Sequence, residues 1–340
     1  MTTQQDAAVG FKKETTFGTY IAPDKFVEFV SEDFAWVPEF SEGAALRYGK
    51  RMLAANRRVK VKESTTGSVE VEATTKGLGA LFEAALGTGT STVASGAAFQ
   101  QLFTPTTTDP LPAYTFQKGI PLVGGGAAQP TSFTGCVCSG FELTAANGAI
   151  PTLKFNFVGK GIDTASAFVT PSYPASYELL SFVGGSIRIG GSVTPPTATA
   201  LASGGTAAAN VTDVDLTFEN GLDEGGFFLG GSGQRGRRPV VGLRSLTGTI
   251  TAEYDSNTLR DAYLNQTDLA IVLKFAHPTA ITGAYYPTLE ITIPVVRLDG
   301  EVPKANAGEV ITQEIGFTAV DGQSAAHPVY VAIVTAETTI

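Results

Sequence analysis

The chain has 340 residues, a length that suits two domains of ordinary size, each able to bury its own core. Hydrophobic residues make up 43% of the chain and charged residues 16%, which excludes an intrinsically disordered acidic protein. The net charge of −9 argues against a protein that grips nucleic acid along its surface, because such a surface must attract phosphates. It does not argue against DNA passing over a surface that fails to hold it.

The N-terminal stretch MTTQQDAAVGFKKE lacks the basic region and apolar core of a signal peptide. No stretch approaches the 18 or so apolar residues that a membrane-spanning helix requires. We therefore expect a protein that is made and folded in the cytoplasm and that does not cross a membrane. The two cysteines, Cys136 and Cys138, alternate along one predicted strand and are badly placed to bridge each other. We expect buried structural thiols rather than metal ligands.

The chain begins with a polar stretch, residues 1–24, which predicts an extended arm or clasp. A first domain is expected over residues 25–180 and a second over residues 181–340. The 39 glycines, with abundant Thr and Val, favour short strands joined by turns. One helix is predicted at Thr75–Leu86, where apolar residues recur at steps of three and four. Strands are predicted at 26–37, 114–117, 133–143, 150–158, 186–189, 211–218, 269–275, 289–296, 310–317 and 329–334, with a hairpin turn at 145–148.

The second half repeats the order of elements found in the first. A displacement of 181 residues pairs Arg57 with Arg238 and Gly67 with Gly248. Both copies predict a hairpin, turning at Thr66-Gly67 and at Thr247-Gly248, followed by a strand and the start of a helix. Repetition of the whole order indicates an internal repeat. The predicted fold is therefore mainly β, a tandem duplication of a β-sandwich or half-barrel domain with one flanking helix in each copy.

Patterns that carry enzyme chemistry are weak in this sequence. The only two histidines both precede prolines, so no Ser-His-Asp or Cys-His arrangement is credible. The run Gly231–Gly236 matches a dinucleotide fingerprint, but a predicted strand follows it, whereas phosphate capture requires a helix N-terminus. Asp213 and Asp215 share one strand face and predict a solvated acidic surface rather than an acid–base pair. We expect no enzyme activity, no cofactor and no metal.

Two loops concentrate positive charge in this acidic protein. The residues are Arg47, Lys50, Arg51, Arg57 and Arg58 in the first copy, and Arg235, Arg237 and Arg238 in the second. Such clusters either contact nucleic acid or meet acidic patches on an identical neighbour. The second interpretation is favoured, because both clusters occupy the same loop of the repeat. Beside the second cluster, Phe227, Phe228 and Leu229 form an apolar tip that predicts burial against another subunit.

Four stretches together resemble a known family. They are VGFKKETTFGTY (Val9–Tyr20), the passage Thr65–Gly87, the passage from 184–191 to 213–221, and VITQEIGFTAVDG (Val310–Gly322). With these, the chain resembles the tail tube (major tail) proteins of long-tailed bacteriophages. The resemblance implies a structural virion protein, assembled in the bacterial host cytoplasm, whose inner sheet joins those of neighbouring subunits into a barrel around a lumen. It also implies rings that stack through loops and N-terminal arms, a tape-measure protein and tail terminator or tip proteins as partners, and double-stranded DNA passing through without specific binding.

A doubled chain changes the expected ring. If single-copy relatives form rings of six, three doubled chains supply six domains and give a trimer with pseudo-sixfold symmetry. Six inner sheets of about four strands, ~4.8 Å apart and tilted ~45°, close at roughly 50 Å across. The residues expected to line the lumen are Glu70, Glu72, Thr251 and Glu253. The alternative function is a carbohydrate-binding or adhesin β-sandwich of a virus particle, although the single tryptophan, Trp36, falls in a predicted strand rather than a binding loop.

Overall fold

Antiparallel strands make up most of the chain, and a computed structural model describes residues 6–45, 47–208, 210–300, 302 and 310–340. The strands of the first half are β1 (Ala8–Lys13), β2 (Lys25–Val27), β3 (Ser31–Glu32), β4 (Ala35–Glu42), β5 (Arg58–Glu72), β6 (Gly87–Ser95), β7 (Ala98–Pro105), β8 (Tyr114–Ile120), β9 (Gln129–Ala145), β10 (Thr152–Gly159) and β11 (Gly161–Asp163). The strands of the second half are β12 (Gly185–Ile189), β13 (Val193–Thr194), β14 (Ser203–Gly204), β15 (Ala207–Ala208), β16 (Val211–Glu219), β17 (Ser245–Glu253), β18 (Leu269–Ala276), β19 (Thr288–Gly300), β20 (Thr312–Ala319) and β21 (Tyr330–Thr335). The described residues also include two short α-helices, α1 (Gly79–Leu86) and α2 (Thr258–Leu264). The predominance of strands confirms the predicted mainly β class.

One continuous sheet, the shared sheet, runs through both halves of the chain. Its strand order is β4–β5–β10–β9–β16–β17–β20–β19, with every neighbour antiparallel. The halves meet where β9 pairs with β16, from Ala145 opposite Val214 to Gly140 opposite Glu219. The hydrogen-bonded ladder is therefore not interrupted at the predicted boundary between residues 180 and 181.

Two further layers, the outer sheets, use the first parts of the long strands β9 and β19. In the first half the order is β2–β1–β8–β9–β11. In the second half the order is β15–β12–β18–β19–β21–β7–β6. Because the hairpin β6–β7 comes from the first half of the chain, the outer sheet of the second half is completed by residues of the first.

The core lies between the shared sheet and the outer layers, and α1 fills it in the first half. Along β10, Leu153, Phe155 and Phe157 are buried while the alternating Lys154 and Asn156 are half-exposed, as a sheet with one packed face requires. Helix α1 is buried along nearly its whole length. Its Phe82 ring lies 5.4 and 5.3 Å from the rings of Phe141 and Phe155. One buried apolar cluster contains residues of both halves, so the halves share a core.

The predicted hairpin turns at Thr66-Gly67 and Thr247-Gly248 are wrong. Both dipeptides lie inside uninterrupted strands, β5 and β17. The glycines serve close packing instead of a turn. A Cβ on Gly67 would come within 2.6 Å of the Phe34 Cα, and one on Gly248 would collide with the Phe317 ring.

Other predicted elements are shifted or extended. Helix α1 begins four residues later than predicted, because Gly77 adopts a left-handed φ of 86° just before it. The Gly/Ser/Thr-rich passage after α1 forms the hairpin β6–β7, which the sequence analysis did not predict. The predicted hairpin between β9 and β10 is confirmed.

The stretch predicted as an arm, residues 1–24, contains β1. This strand is almost entirely buried and lies between β2 and β8. The first five residues of that stretch lie outside the described residues.

The two halves repeat both the order and the register of their pairing. In the first half Gly67 lies opposite Phe157 on β10, and in the second half Gly248 lies opposite Phe317 on β20. The helices differ. Of α2 only Ala262 is buried, and Leu264 is 60% exposed. The pairing order β4–β5–β10–β9 of the first half thus matches the order β16–β17–β20–β19 of the second, whereas the described residues include a buried helix in the first half only.

Candidate assembly surfaces

The shared sheet has one apolar face and one polar face, and the charged side chains of the polar face are half-exposed or exposed. The apolar face is formed by cross-strand rows such as Val69–Phe155–Phe141–Phe218, all buried. The opposite row begins with Glu72 and continues through Thr152, Thr144, Asp215 and Thr249. Alternation along antiparallel strands produces this separation, since successive side chains point to opposite faces.

Charge on the polar face is strongly negative. Where the seven strands from β5 to β19 pair with one another, it carries nine carboxylates: Glu70, Glu72, Glu142, Asp213, Asp215, Glu219, Glu253, Asp299 and Glu314. The cations among the same positions are Lys154 and Arg297. Lys154 lies in register between Glu70 and Glu142, so its charge is matched on both sides. Most of the protein's net charge of −9 is therefore concentrated on this face.

The four residues predicted to line a lumen all lie on this polar face. Glu70 and Glu72 belong to β5, and Thr251 and Glu253 belong to β17. Glu70 lies opposite Lys154, and Thr251 lies between Asp213 and Glu314. The structure thus brings the four together on one surface, although the sequence analysis placed them only by alternation within single strands.

The first basic loop connects β4 to β5 beyond the paired part of the shared sheet. Arg47, Lys50, Arg51, Arg57 and Arg58 are all exposed there. Arg58 packs its guanidinium 4.6 Å from the Phe40 ring and approaches Glu42 at 4.0 Å. Exposed apolar side chains accompany the cations: Tyr48 is fully exposed and Met52 is 88% exposed. Positive charge beside exposed apolar groups is typical of a surface that another molecule covers.

The second basic loop, residues 223–240, lies against the first half of the same chain. The backbone N–H of Glu63 donates to the backbone carbonyl of Gly233 at 2.8 Å. The side-chain amide of Gln234 donates to the Glu63 carboxylate at 2.6 Å. Arg235 is 3% exposed and packs 5.2 Å from the Phe227 ring. Phe227 is half-buried, so only Phe228 and Leu229 of the predicted apolar tip project outward, 60% and 106% exposed.

Electrostatics explain how this loop is held. Arg237 pairs with Asp223 at 2.6 Å, and Arg235 contacts Glu224 at 3.3 Å. Burial lowers the pKa of the Arg235 guanidinium, an effect that Glu224 opposes. Burial also acts to raise the pKa of Glu63, but hydrogen bonds from Lys60 and Gln234 outweigh it and leave that pKa below its ordinary value of 4.5. Arg238 donates to the Leu111 carbonyl at 3.3 Å.

Among the described strands, neither end of the shared sheet has a further partner, which agrees with the expectation of sheets that join those of neighbouring subunits. Strand β4 pairs with β5 on one side only, and the last residues of β19, from Arg297 to Gly300, pair only with β20 among the described strands. On β4, Trp36, Val37 and Phe40 are 40%, 40% and 46% exposed. Pro38 in this strand is a sequence signal for an edge, because proline cannot donate to a ladder.

The cysteines and the acidic residues were the other candidates for chemistry. Cys136 and Cys138 are free and buried, as predicted, and burial raises the pKa of the Cys138 thiol to about 12. Within the described ranges, no group of three or more His, Cys, Asp or Glu side chains is arranged to hold a metal ion. Neither of the two described helices is long and apolar enough to cross a membrane.

Comparison with protein families decides the broad identity of the chain. A family model described as "Phage tail tube protein" matches residues 4–319. The chain belongs to the phage tail tube protein family. No curated protein matches it significantly. Membership confirms the resemblance carried by the four sequence stretches and makes this chain a structural component of the phage tail.

For a tail tube protein, an open-ended sheet is the expected state of an isolated subunit. The family assembles with copies of itself into a tube, and unpaired strand edges are the usual template for such association. The acidic face, the first basic loop, the exposed tip Phe228-Leu229 and the edge strands are thus the surfaces that remain exposed among the described residues of this tail tube protein.

Proposed function

We propose that this protein polymerises into stacked rings that form the phage tail tube, the conduit through which DNA is delivered into the host. The observation that carries the proposal is the shared sheet of eight strands, which has open edges at both ends and an acidic face. An isolated sheet with exposed apolar side chains on its edge is prone to pair with another chain. Closing several such sheets edge to edge removes the edges and leaves one face directed inward.

The ring is a trimer of doubled chains with pseudo-sixfold symmetry. The matching register of β5–β10 and β17–β20 supports the tandem duplication on which this number rests. Three shared sheets supply 24 strands, because each has eight. Strands ~4.8 Å apart and tilted ~45° close at that number into a barrel roughly 50 Å across.

The acidic face lines the bore, with Glu70, Glu72, Thr251 and Glu253 among its residues. On the seven strands from β5 to β19, nine carboxylates against two cations repel DNA phosphates, and DNA therefore slides without being held. The apolar face does not serve as the lining, since the outer layers and α1 cover it.

Stacking between rings uses the two basic loops. The surfaces are Arg47, Lys50, Arg51, Arg57 and Arg58 on one loop, and Phe228 and Leu229 with Arg237 and Arg238 on the other. Arg235 and Phe227 pack against each other inside the second loop and hold it in the conformation that contacts the neighbouring ring. Further partners, a tape-measure protein and tail terminator or tip proteins, meet the tube at its inside and its ends.

Negative-stain electron microscopy of the purified protein tests this function. We expect tubes of uniform width, and end-on views or chemically cross-linked rings that contain three chains with six similar lobes. Discrete monomers at high protein concentration would contradict the proposal. Rings of six chains would refute the trimer while leaving the tube in place.

A further inference from the structure

The geometry points to a defined register at the contact between ring neighbours. We propose that the open edge of β4 pairs antiparallel with the end of β19 in a second copy of this chain, with Trp36 opposite Gly300 and Val37 opposite Asp299. This inference rests on the proposed function and specifies its ring contact residue by residue.

The template for this contact lies inside the chain. Where the two halves meet, β16 pairs with the second part of β9, and Phe218 lies opposite Phe141 with their ring centroids 5.5 Å apart. Each half of the chain has the same strand order, so one junction between halves is built by the fold. The equivalent junction has no partner among the described strands, because it would require a third half.

The β19 side of the missing junction follows from the pairing registers. Phe141 lies opposite Phe155 in the first half, and Gly300 lies opposite Ile315 in the second. Phe155 lies opposite Val69 on β5, and Ile315 lies opposite Ile250 on β17. The displacement of 181 residues pairs Val69 with Ile250. Gly300 therefore holds the place of Phe141, and its outer side is open where β9 receives β16.

The β4 side follows in the same way. Phe218 lies opposite Leu246 on β17, and Trp36 lies opposite Thr65 on β5. Thr65 and Leu246 are equated by the displacement of 181 residues. Trp36 therefore holds the place of Phe218, as Gly300 holds the place of Phe141. Since Phe218 lies opposite Phe141 inside the chain, Trp36 lies opposite Gly300 of the next copy.

The side chains suit this register. Two aromatic rings fill the junction inside the chain, whereas the open edges offer one large ring and one glycine. An aromatic side chain that covers a glycine on the neighbouring strand is a recognised stabilising pair in sheets. Trp36 is 40% exposed in the single chain, and pairing would bury it. One position further, Val37 and Asp299, both exposed, meet on the acidic face.

Disulfide trapping in assembled tubes tests the register. We would make two paired variants, Val37→Cys/Asp299→Cys and Trp36→Cys/Gly300→Cys, and oxidise the assembled protein. Directly opposed residues lie with Cα atoms ~4.5 or ~5.5 Å apart, in alternation, and both distances permit a disulfide. An added Cβ at Gly300 meets no atom closer than 3.7 Å, so the substitution fits the fold. We expect covalent ladders on non-reducing gels that end at three chains.

An offset pair is the matched control. Val37→Cys/Arg297→Cys lies on the same face but two residues out of register, at ~7–8 Å, and we expect at least several-fold less interchain disulfide from it. The native thiols contribute little background, since both are buried. Tubes that form without cross-links at the registered pairs, or with preference for the offset pair, would overturn this inference and leave the proposed function standing. Failure of the wild-type protein to form tubes would instead refute the proposed function.

Hydrogen exchange on the wild-type protein covers the case in which the variants do not assemble. Amides of residues 35–37, 39–40 and 297–300 should exchange several-fold more slowly in tubes than in dilute protein. Residues 124–126, on an exposed loop, serve as the reference. Unchanged exchange at both edges in assembled tubes would overturn the inference.

Discussion

Gly67 and Gly248 are found inside long strands because other groups occupy the space where their side chains would lie. Phe34 packs against Gly67, and the Phe317 ring and the Asp215 carbonyl pack against Gly248. Glycine in a strand normally weakens it, so its presence at two positions equated by the repeat indicates a close approach that the packing requires.

Substitution of Gly67 by alanine tests this packing. We expect Gly67→Ala to lower the free energy of unfolding by roughly 1–3 kcal/mol, because the added methyl overpacks the core. Chemical denaturation followed by tryptophan fluorescence measures the change. Gly124→Ala is the control, since nothing lies within 4 Å of an added Cβ there. Equal stability of the two variants would contradict this packing role for Gly67.

Glu63 links the second basic loop to β5 and makes that contact sensitive to acid. Its pKa lies below the ordinary value of 4.5, so its ionised form stabilises the fold above that pH. This contribution is lost as the pH falls through the lowered pKa. We expect the melting temperature to fall less between about pH 6 and about pH 3.5 in Glu63→Gln than in the wild type.

A neighbouring carboxylate supplies the comparison for that measurement. Glu39 pairs with Lys62 at 3.4 Å on the same hairpin and is 58% exposed, so Glu39→Gln is the control for the loss of a surface carboxylate. If Glu63→Gln and Glu39→Gln behave alike, Glu63 does not couple the loop to the sheet.

At the scale of elements, the two helices follow different rules although they occupy matching places in the chain order. Helix α1 is predictable from its sequence, because five apolar residues recur at helical spacing and the fold buries them. Its beginning is not predictable from that periodicity, since Gly77 sets it. Helix α2 has a single buried residue, Ala262, and lies on the surface of the second half.

Truncation of one residue in each helix measures the difference. Phe82→Ala should lower the free energy of unfolding by about 3–5 kcal/mol, because it removes a ring packed among three others. Leu264→Ala should change it by no more than about 0.5 kcal/mol, since that side chain is 60% exposed. Urea denaturation of both variants provides the measurement. A large effect at Leu264 would show that α2 is packed more tightly than the structure indicates.

At the scale of the whole molecule, the exposed tip of the second basic loop is a proposed contact between rings. Phe228 and Leu229 are strongly exposed, while the loop beneath them is fixed to β5 through Glu63 and Gly233. We expect Phe228→Ser/Leu229→Ser to leave the melting temperature within a few degrees of the wild type. The variant should nevertheless form far fewer or shorter tubes, because apolar anchors at an interface carry much of its binding energy.

Electron microscopy and light scattering distinguish these outcomes, with Val123→Ser as the control. Val123 is 77% exposed on the loop between β8 and β9. Normal tubes from the double variant would exclude the apolar tip from the contacts between rings.

Local patterns in the sequence determined several features of this protein. Strand alternation predicted most strands and placed Glu70 and Glu253 on outward faces, and helical spacing predicted α1, because these signals depend on neighbouring residues only. Four stretches carried the resemblance to tail tube proteins, which the family match confirmed. The turns predicted at Gly67 and Gly248 were wrong, since a glycine required by a distant aromatic ring looks the same as a glycine required by a turn.

Only the tertiary structure decided how the halves are joined. The pairing of β9 with β16, and of β7 with β21, connects residues far apart in the chain, and such partners leave no local pattern. The open edges at Trp36 and Gly300 follow from the same long-range pairing, because an edge is defined by the strand that is absent beside it. The sequence thus determined which residues form strands and which faces they bury, and the three-dimensional pairing decided where the sheet ends.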